Sequence, residues 1–421
     1  MNHRANPTSR GHETAANSNR KPHAPLSFTA FIAVLASLMA INAVATDIML
    51  PGFPNIAYSL ATDTTSVQAL ITAYMIGFGL SQIFVGFLSD RYGRRSVLLV
   101  GLAIYSVASV LSGLSGDLNT MLAWRLVQGM GAGAPRVVVS AAARDCYNGR
   151  ELARVMSLVM TVFMAAPVLA PAIGQLILLV ADWRAIFYFL LAYGVAMAII
   201  CWRSFPETLA PENQRAISVP LIADAVRSVF SSRQTIGYMI AGGIFFGSLF
   251  GFIASAQQLM VGIYDLGVLF PVAFAFLALA MSGASFINSR LVEKYGMRLL
   301  SHIAVVGYTI LSLVMFVLAF GGELSLTLFM LIHSTNMLFV GLVFANFNTL
   351  AIEPQGHIAG VASAFISAFT VIIGASIGYF IGRAFDGTAL PMAFGFFCCG
   401  IFTLIVLLIA EKGRLFHSPR V

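Results

Sequence analysis

Three ionisable side chains stand inside otherwise apolar stretches of this 421-residue chain: Asp47, Arg125 and Arg136. Burying such a group in hydrocarbon is costly, so each is a functional candidate. An acid in that setting can carry a proton. Desolvation favours its neutral form and a nearby guanidinium favours its carboxylate, and a balance of the two lets one group take up and give off a proton under physiological conditions. Asp47 lies near the far end of the first apolar stretch and Arg125 near the same end of the fourth, so their depths match. Two plainer readings stay open: Asp47 as the polar end of a helix that Pro51 is about to stop, and Arg125 as a donor to backbone carbonyls. Arg136 follows Arg125 by 11 residues, about 20° past three full turns at about 100° per residue, so the two share a helix face with Gly129 and Ala132. Arg136 is a candidate for an anionic substrate group, with snorkelling as its alternative.

Composition removes most other chemistry. Apolar residues make up 59% of the chain and charged residues 10%, against roughly 25% charged in soluble domains, which excludes an ordinary soluble enzyme. The net charge of +7 does not point to nucleic acid, because the cations are dispersed between apolar runs rather than gathered on one face. Cys146, Cys201, Cys398 and Cys399 show no metal or disulfide spacing, and the histidines are scattered. Neither metal nor cofactor is expected. No P-loop occurs, so ATP is not the expected energy source. No HExxH occurs, and His302 and His333 have no nucleophile partner visible in the sequence.

The apolar runs must position the candidate residues. A helix needs about 20 residues to cross about 30 Å of hydrocarbon. The sequence predicts twelve such helices: 28–50, 65–87, 96–115, 120–141, 154–180, 184–203, 235–258, 267–288, 299–320, 326–349, 358–382 and 390–410. The first imitates a secretory signal ending in Ala43-Val44-Ala45, but is too long for one and is expected to remain. Of the 24 cations, all but Arg125, Arg136, Arg184 and Arg383 fall in one alternate set of connecting segments and tails, which places both termini in the cytoplasm. Residues 1–27 read as a disordered cytoplasmic tail and 411–421 as a second tail.

The chain also repeats itself. Gly86-Phe87-Leu88-Ser89-Asp90-Arg91-Tyr92-Gly93-Arg94-Arg95 follows the second predicted helix, and Ser289-Arg290-Leu291-Val292-Glu293-Lys294-Tyr295-Gly296-Met297-Arg298 follows the eighth, at an offset of 203 residues. The order acid, base, Tyr, Gly, x, Arg recurs. Two six-helix bundles are expected, 28–203 and 235–410, joined by a cytoplasmic linker 204–234. Parallel repeats of this kind form a cavity at their interface and expose it alternately to either side.

Gly86 to Arg95 resembles motif A of the major facilitator superfamily. Arg125-Leu126-Val127-Gln128-Gly129-Met130-Gly131 is similar to its fourth-helix motif B, and Ala166-Pro167-Val168-Leu169-Ala170-Pro171-Ala172-Ile173-Gly174 to its antiporter motif C. With Asp47-Ile48-Met49-Leu50-Pro51, Arg144-Asp145, Pro206-Glu207-Thr208-Leu209 and Glu353-Pro354-Gln355-Gly356-His357-Ile358-Ala359-Gly360, the pattern resembles the Bcr/CflA branch of twelve-helix drug:proton antiporters.

That resemblance implies an all-α integral membrane protein of the bacterial inner membrane, exporting amphipathic small molecules or drugs in exchange for protons. The alternative is a dedicated proton-coupled exporter of one endogenous metabolite. Its partners would be a small-molecule substrate, protons and the lipid bilayer, with the chain a monomer. Asp47 and Arg125 would couple the proton. Gly86, Asp90, Arg91, Gly93, Arg94 and Arg95 would gate the cavity, Asp90 docking against the start of the eleventh helix near Gly356 to Gly360. Pro167, Pro171 and Gly174 remove donors and bulk, which favours a bend and close helix contact in the fifth helix. Arg136, Tyr74, Phe78, Phe245, Phe246, Gln257 and Asn336 are candidates for the apolar wall and sparse polar groups of a ligand pocket.

Overall fold

A computed structural model describes residues 26–214 and 219–416. Most of the predicted N-terminal tail, four residues of the linker and the last five residues lie outside the described residues. The described residues form helices and connecting turns, with no strand among them. The long helices are α1 (Phe28–Asp47), α2 (Ala69–Tyr92), α3 (Arg94–Gly113), α4 (Leu118–Cys146), α5 (Gly149–Phe163), α6 (Ala166–Val180), α7 (Arg184–Ser204), α8 (Val219–Ser231), α9 (Arg233–Gln257), α10 (Phe270–Tyr295), α11 (Met297–Phe320), α12 (Leu326–Ile352), α13 (Ala359–Arg383) and α14 (Leu390–Ala410).

Eleven helical stretches among the described residues are long and apolar enough to cross a membrane. Helix α4, with 29 residues, is long enough but is not in that set; Arg125, Gln128 and Arg136 interrupt its apolar run. The predicted fifth helix is two helices, α5 and α6, interrupted at Met164-Ala165 just before Pro167, where the proline ring and missing N–H disfavour continuation. Pro51 does not end helical structure. It opens a 3-10 turn, Leu50–Gly52, that runs into a short helix, Phe53–Ser59, because proline is well tolerated in a first turn. Within the predicted linker, α8 packs on α9 and α13, and Ser228 donates to Gln355 Oε1 at 2.8 Å.

Turn chemistry sets the ends. Gly93 and Gly296 separate α2 from α3 and α10 from α11 at φ +91° and +77°, a region that only glycine enters cheaply. Asp117 accepts from the Thr120 N–H at 2.9 Å and Asp63 from the Ser66 N–H at 2.7 Å, capping the helices that follow. Bonds from the Thr120 backbone and hydroxyl hold the Asp117 carboxyl below its usual range, and the Ser66 hydroxyl and N–H do the same for Asp63. Each cap therefore contributes above the usual carboxylate range and is lost as the pH falls through its lowered value.

The first-half helices pack by backbone approach. A Cβ on Gly129 would lie 1.9 Å from the Tyr74 carbonyl oxygen, and one on Gly77 2.0 Å from that of Leu126, so α2 and α4 touch without side chains between them. Helix α6 meets the end of α1 in the same way, where a Cβ on Gly174 would stand 1.9 Å from the Ile48 oxygen. Small residues of this kind allow the close van der Waals packing that holds membrane helices together. Gly129→Val is expected to cost about 3 kcal/mol or more through forced separation of α2 and α4. Thermal melting in detergent should show it, while Gly283→Ala, whose new Cβ meets open space, should melt like the parent. Equal melting of the valine variant would contradict this packing.

Helices α9 to α14 pack among themselves, chiefly α9 on α13 and α14, α10 on α12, and α11 on α12 and α14. The two sets meet along α2 with α13 and α6 with α10.

Candidate functional site

Asp47 is the last residue of α1 and is buried, 4% exposed. Its Oδ1 accepts from the Thr46 hydroxyl at 2.9 Å, a hydroxyl that also lies 3.0 Å from the Ala43 carbonyl oxygen. Among the described residues no salt bridge reaches this carboxylate. Arg125 is fully buried and points at neutral acceptors. Its Nη2 donates to the Ala45 carbonyl at 3.1 Å, its Nε to the Leu70 carbonyl at 3.3 Å and its Nη1 to Gln128 Oε1 at 2.7 Å, with the guanidinium 4.5 Å above the Tyr74 ring. Ala45 sits in the last turn of α1, whose carbonyls lack helical partners, so Arg125 acts as a side-chain cap on the turn that carries Asp47. The tyrosine below it completes the arrangement. Tyr74 lies in the electrostatic field of both Asp47 and Arg125, and its buried hydroxyl has no hydrogen-bond partner among the described residues.

Gln128 extends this node by donating to Ser109 at 2.7 Å. The second half repeats it with other side chains. Asn336 Nδ2 lies 3.3 Å from the Ser312 hydroxyl, and Ser312 stands 203 residues after Ser109. Asn336 and His333 stand 208 residues after Gln128 and Arg125. His333, fully buried between Phe252, Phe329 and Phe396 at ring distances of 4.3, 5.3 and 5.5 Å, takes the place of the guanidinium.

Arg136 reaches the same helix as Arg125, its Nη1 lying 3.9 Å from Met39 Sδ on α1. Tyr74 lies under Arg125 and Phe78 one turn further along α2. Phe245 is fully buried against Tyr308, with ring centroids 4.7 Å apart, and Asn336 is fully buried beside Ser312. Phe246 packs on Phe344 at 4.6 Å, and Gln257 ends α9.

The loop between α2 and α3 holds a charged hub. Arg94 donates through Nη1 to Asp90 and, at 2.7 Å, to Ser89, and through Nε to Asp145 Oδ2 at 3.1 Å. Thr208 donates to the same Asp145 oxygen at 3.0 Å. Glu207 accepts from the Arg94 and Arg95 N–H groups at 2.8 and 3.1 Å, capping α3. Gly93 is needed here twice over, since a Cβ would stand 2.4 Å from Glu207. Arg91 lies over the Tyr92 ring. In the second half Arg298 bridges Glu353 and Glu411, each at 3.1 Å. Asp145, Glu207, Glu353 and Glu411 have no role readable from the sequence, because each meets its arginine only after folding.

The opposite end carries a contact between the two sets of helices. Gln68 donates to Gln258 Oε1, and Gln258 donates to the Thr64 and Thr65 hydroxyls at 3.1 and 3.2 Å. Gln68 also fills the place beside Gly382 that a Cβ would occupy. At the hub end, a Cβ on Gly86, Gly356 or Gly360 would meet nothing within 4 Å.

A family model described as Major Facilitator Superfamily matches residues 35–379. The chain belongs to this superfamily. An uncharacterized MFS-type transporter, YdgK, of Bacillus subtilis is 31% identical over 87% of this chain and 91% of its own length. A bicyclomycin resistance protein homolog of Haemophilus influenzae is 30% identical over 89% and 94%. A partially occluded, inward-open structure of the xylose transporter XylE from E. coli superposes with a TM-score of 0.69 at 13% identity, covering 94% of this chain and 99% of that one. As a member of the superfamily the chain is a transporter and not an enzyme. Gly374-Ala375-Ser376-Ile377-Gly378 does spell GxSxG. It lies inside α13, however, with the Ser376 hydroxyl bonded to the Ile372 carbonyl at 2.8 Å, and not on the strand-to-helix turn that the nucleophile elbow requires.

Proposed function

We propose that this transporter exports amphipathic drugs across a bacterial inner membrane in exchange for protons. It has twelve spans, α4 included, and both termini in the cytoplasm. Residues 28–203 and 235–410 form two rocking bundles and 204–234 a cytoplasmic linker. The observation that carries the reading is a buried carboxylate, Asp47, with no salt-bridge partner among the described residues, on a helix turn that Arg125 holds in place. A carboxylate so placed is stable only if it can become neutral or meet a cation. Proton binding supplies the first, and reorganisation around a bound drug supplies the second condition or its equivalent in water. Drug entry from the cytoplasm then favours proton release, and reprotonation from outside expels the drug. The resistance named for the Haemophilus influenzae relative supports drugs as substrates and bicyclomycin as the first probe.

The test is uptake of bicyclomycin, and of a drug panel chosen by susceptibility of cells expressing the chain, into inverted vesicles. An imposed acid interior should drive uptake and an uncoupler should abolish it. Uptake indifferent to the pH gradient would overturn proton antiport. A flat susceptibility profile with one accumulated cellular compound would assign the same machinery to a single metabolite.

Alternating access requires the Gln68–Gln258 contact to break. Gln258→Ala removes three hydrogen bonds and strands the Gln68 amide, a cost of about 1–3 kcal/mol to the closed end. That corresponds to a shift of about 5- to 150-fold between the two states. A cysteine at Ala254, beside Gly382 and Gln68, should react correspondingly faster with an impermeant maleimide in the alanine variant. Unchanged reactivity would mean that the contact does not hold this end shut.

A further inference from the structure

Helices α3 and α7 touch through small groups. A Cβ on Gly194 would stand 2.4 Å from the Ser106 hydroxyl, so the helices close on each other there and their outer faces fall back on either side. The result is a furrow of about 690 Å³ on the outside of the bundle, lined by Leu99, Val107 and Leu111 from α3 and by Leu191, Val195 and Ile199 from α7. Its lining is almost wholly apolar. The one hydroxyl in it, Ser106, is spent on the Leu102 carbonyl at 2.7 Å. From Leu99 to Leu111 the furrow runs about 18 Å along the helix, close to one leaflet of a hydrocarbon layer about 30 Å thick.

One end of the furrow is cationic. Trp202 closes it, 62% exposed, and the Arg95 guanidinium donates to the Trp202 carbonyl. Arg203 is exposed beside it. Neither Arg95 nor Arg203 is in a salt bridge with a carboxylate among the described residues. The carboxylate nearest in the chain, Glu207, is engaged by the N–H groups of Arg94, Arg95 and Leu209. An exposed tryptophan with arginines at the end of an apolar face is the pattern of a membrane–water boundary.

We infer that this furrow is a binding site for an anionic phospholipid, one acyl chain lying between α3 and α7 and the phosphate meeting Arg95 and Arg203. A single methylene chain fits a furrow between two touching helices. A helix from a second copy, about 10 Å across, would ride on its rim rather than fill it. Each basic residue near an anionic headgroup contributes about fivefold in affinity.

The test is native mass spectrometry of the delipidated full chain with phosphatidylglycerol or phosphatidylcholine of identical acyl chains. The wild type should retain phosphatidylglycerol at least about fivefold better. Arg95→Gln with Arg203→Gln should erase that preference and leave phosphatidylcholine retention unchanged. Val107→Trp, which fills the furrow, should lower retention of both. Should a variant fail to fold, the melting shift of the wild type decides alone, being larger with phosphatidylglycerol than with phosphatidylcholine. Equal retention and equal shifts for the two lipids, or full retention in the tryptophan variant, overturns the site. So does a lipid-free wild-type dimer that Val107→Trp dissociates, which would make the furrow an interface between copies.

Discussion

Asp47→Asn is expected to abolish gradient-driven drug uptake, reducing it to the leak of protein-free vesicles, while the protein folds and melts at or above the parent temperature. Asparagine has the shape of the protonated acid and still accepts the Thr46 hydroxyl bond seen at 2.9 Å. It cannot release a proton. Since the carboxylate has no salt-bridge partner among the described residues, neutralising it removes a desolvation cost and breaks no ion pair. The variant should therefore separate stability from coupling. Its drug affinity should stop changing with pH and stay at the value of the acid-loaded wild type. A variant that melts early and loses all drug binding would instead mark Asp47 as a structural group.

Arg125→Ala should have the opposite profile. It strands the Ala45 carbonyl and Gln128 Oε1, removes a second donor from the Leu70 carbonyl inside α2, and uncovers the Tyr74 ring. Hydrogen bonds to a charged donor contribute about 1.5–3 kcal/mol each, and relief of the buried cation's own desolvation offsets part of the loss. A net loss of about 3 kcal/mol follows, with an early melt in detergent. Arg125→Lys keeps the charge but not the planar fork that reaches three acceptors at once, so it should recover only part of the stability. If charge near Asp47 were all that Arg125 provides, lysine would restore both melting and transport. Melting of the alanine variant at the parent temperature would show that these contacts hold nothing.

The sequence makes Asp47 conspicuous because an acid in an apolar run is rare. It makes the α2–α3 and α10–α11 turns readable because Gly93 and Gly296 recur in a charged context. The acceptors of Arg125 are not readable at all, since two are backbone carbonyls, which every residue has. Its counterpart His333 is hidden for another reason. The repeat offset is 203 residues at the turn glycines and at Ser109 and Ser312, but 208 on α4 and α12, so aligning the halves on the glycine turns passes over it. The hub around Arg94 joins residues 51 and 113 positions away, and the Gln68–Gln258 contact spans 190. Such pairs leave no local pattern. Phe245 and Asn336 are candidates for a cavity wall because aromatic and amide side chains suit ligands, and the same side chains also fill bundle interiors, so their type alone does not separate the two roles; both are fully buried.

The central claim is that drug and proton compete for one protein through Asp47. Its most direct test is the proton count when a transported drug is added to purified protein in weak buffer, titrated across the neutral range. The wild type should release protons in proportion to the drug bound, and Asp47→Asn should release none. Undiminished release from the asparagine variant, or none from the wild type at any pH where drug binds, would contradict the account.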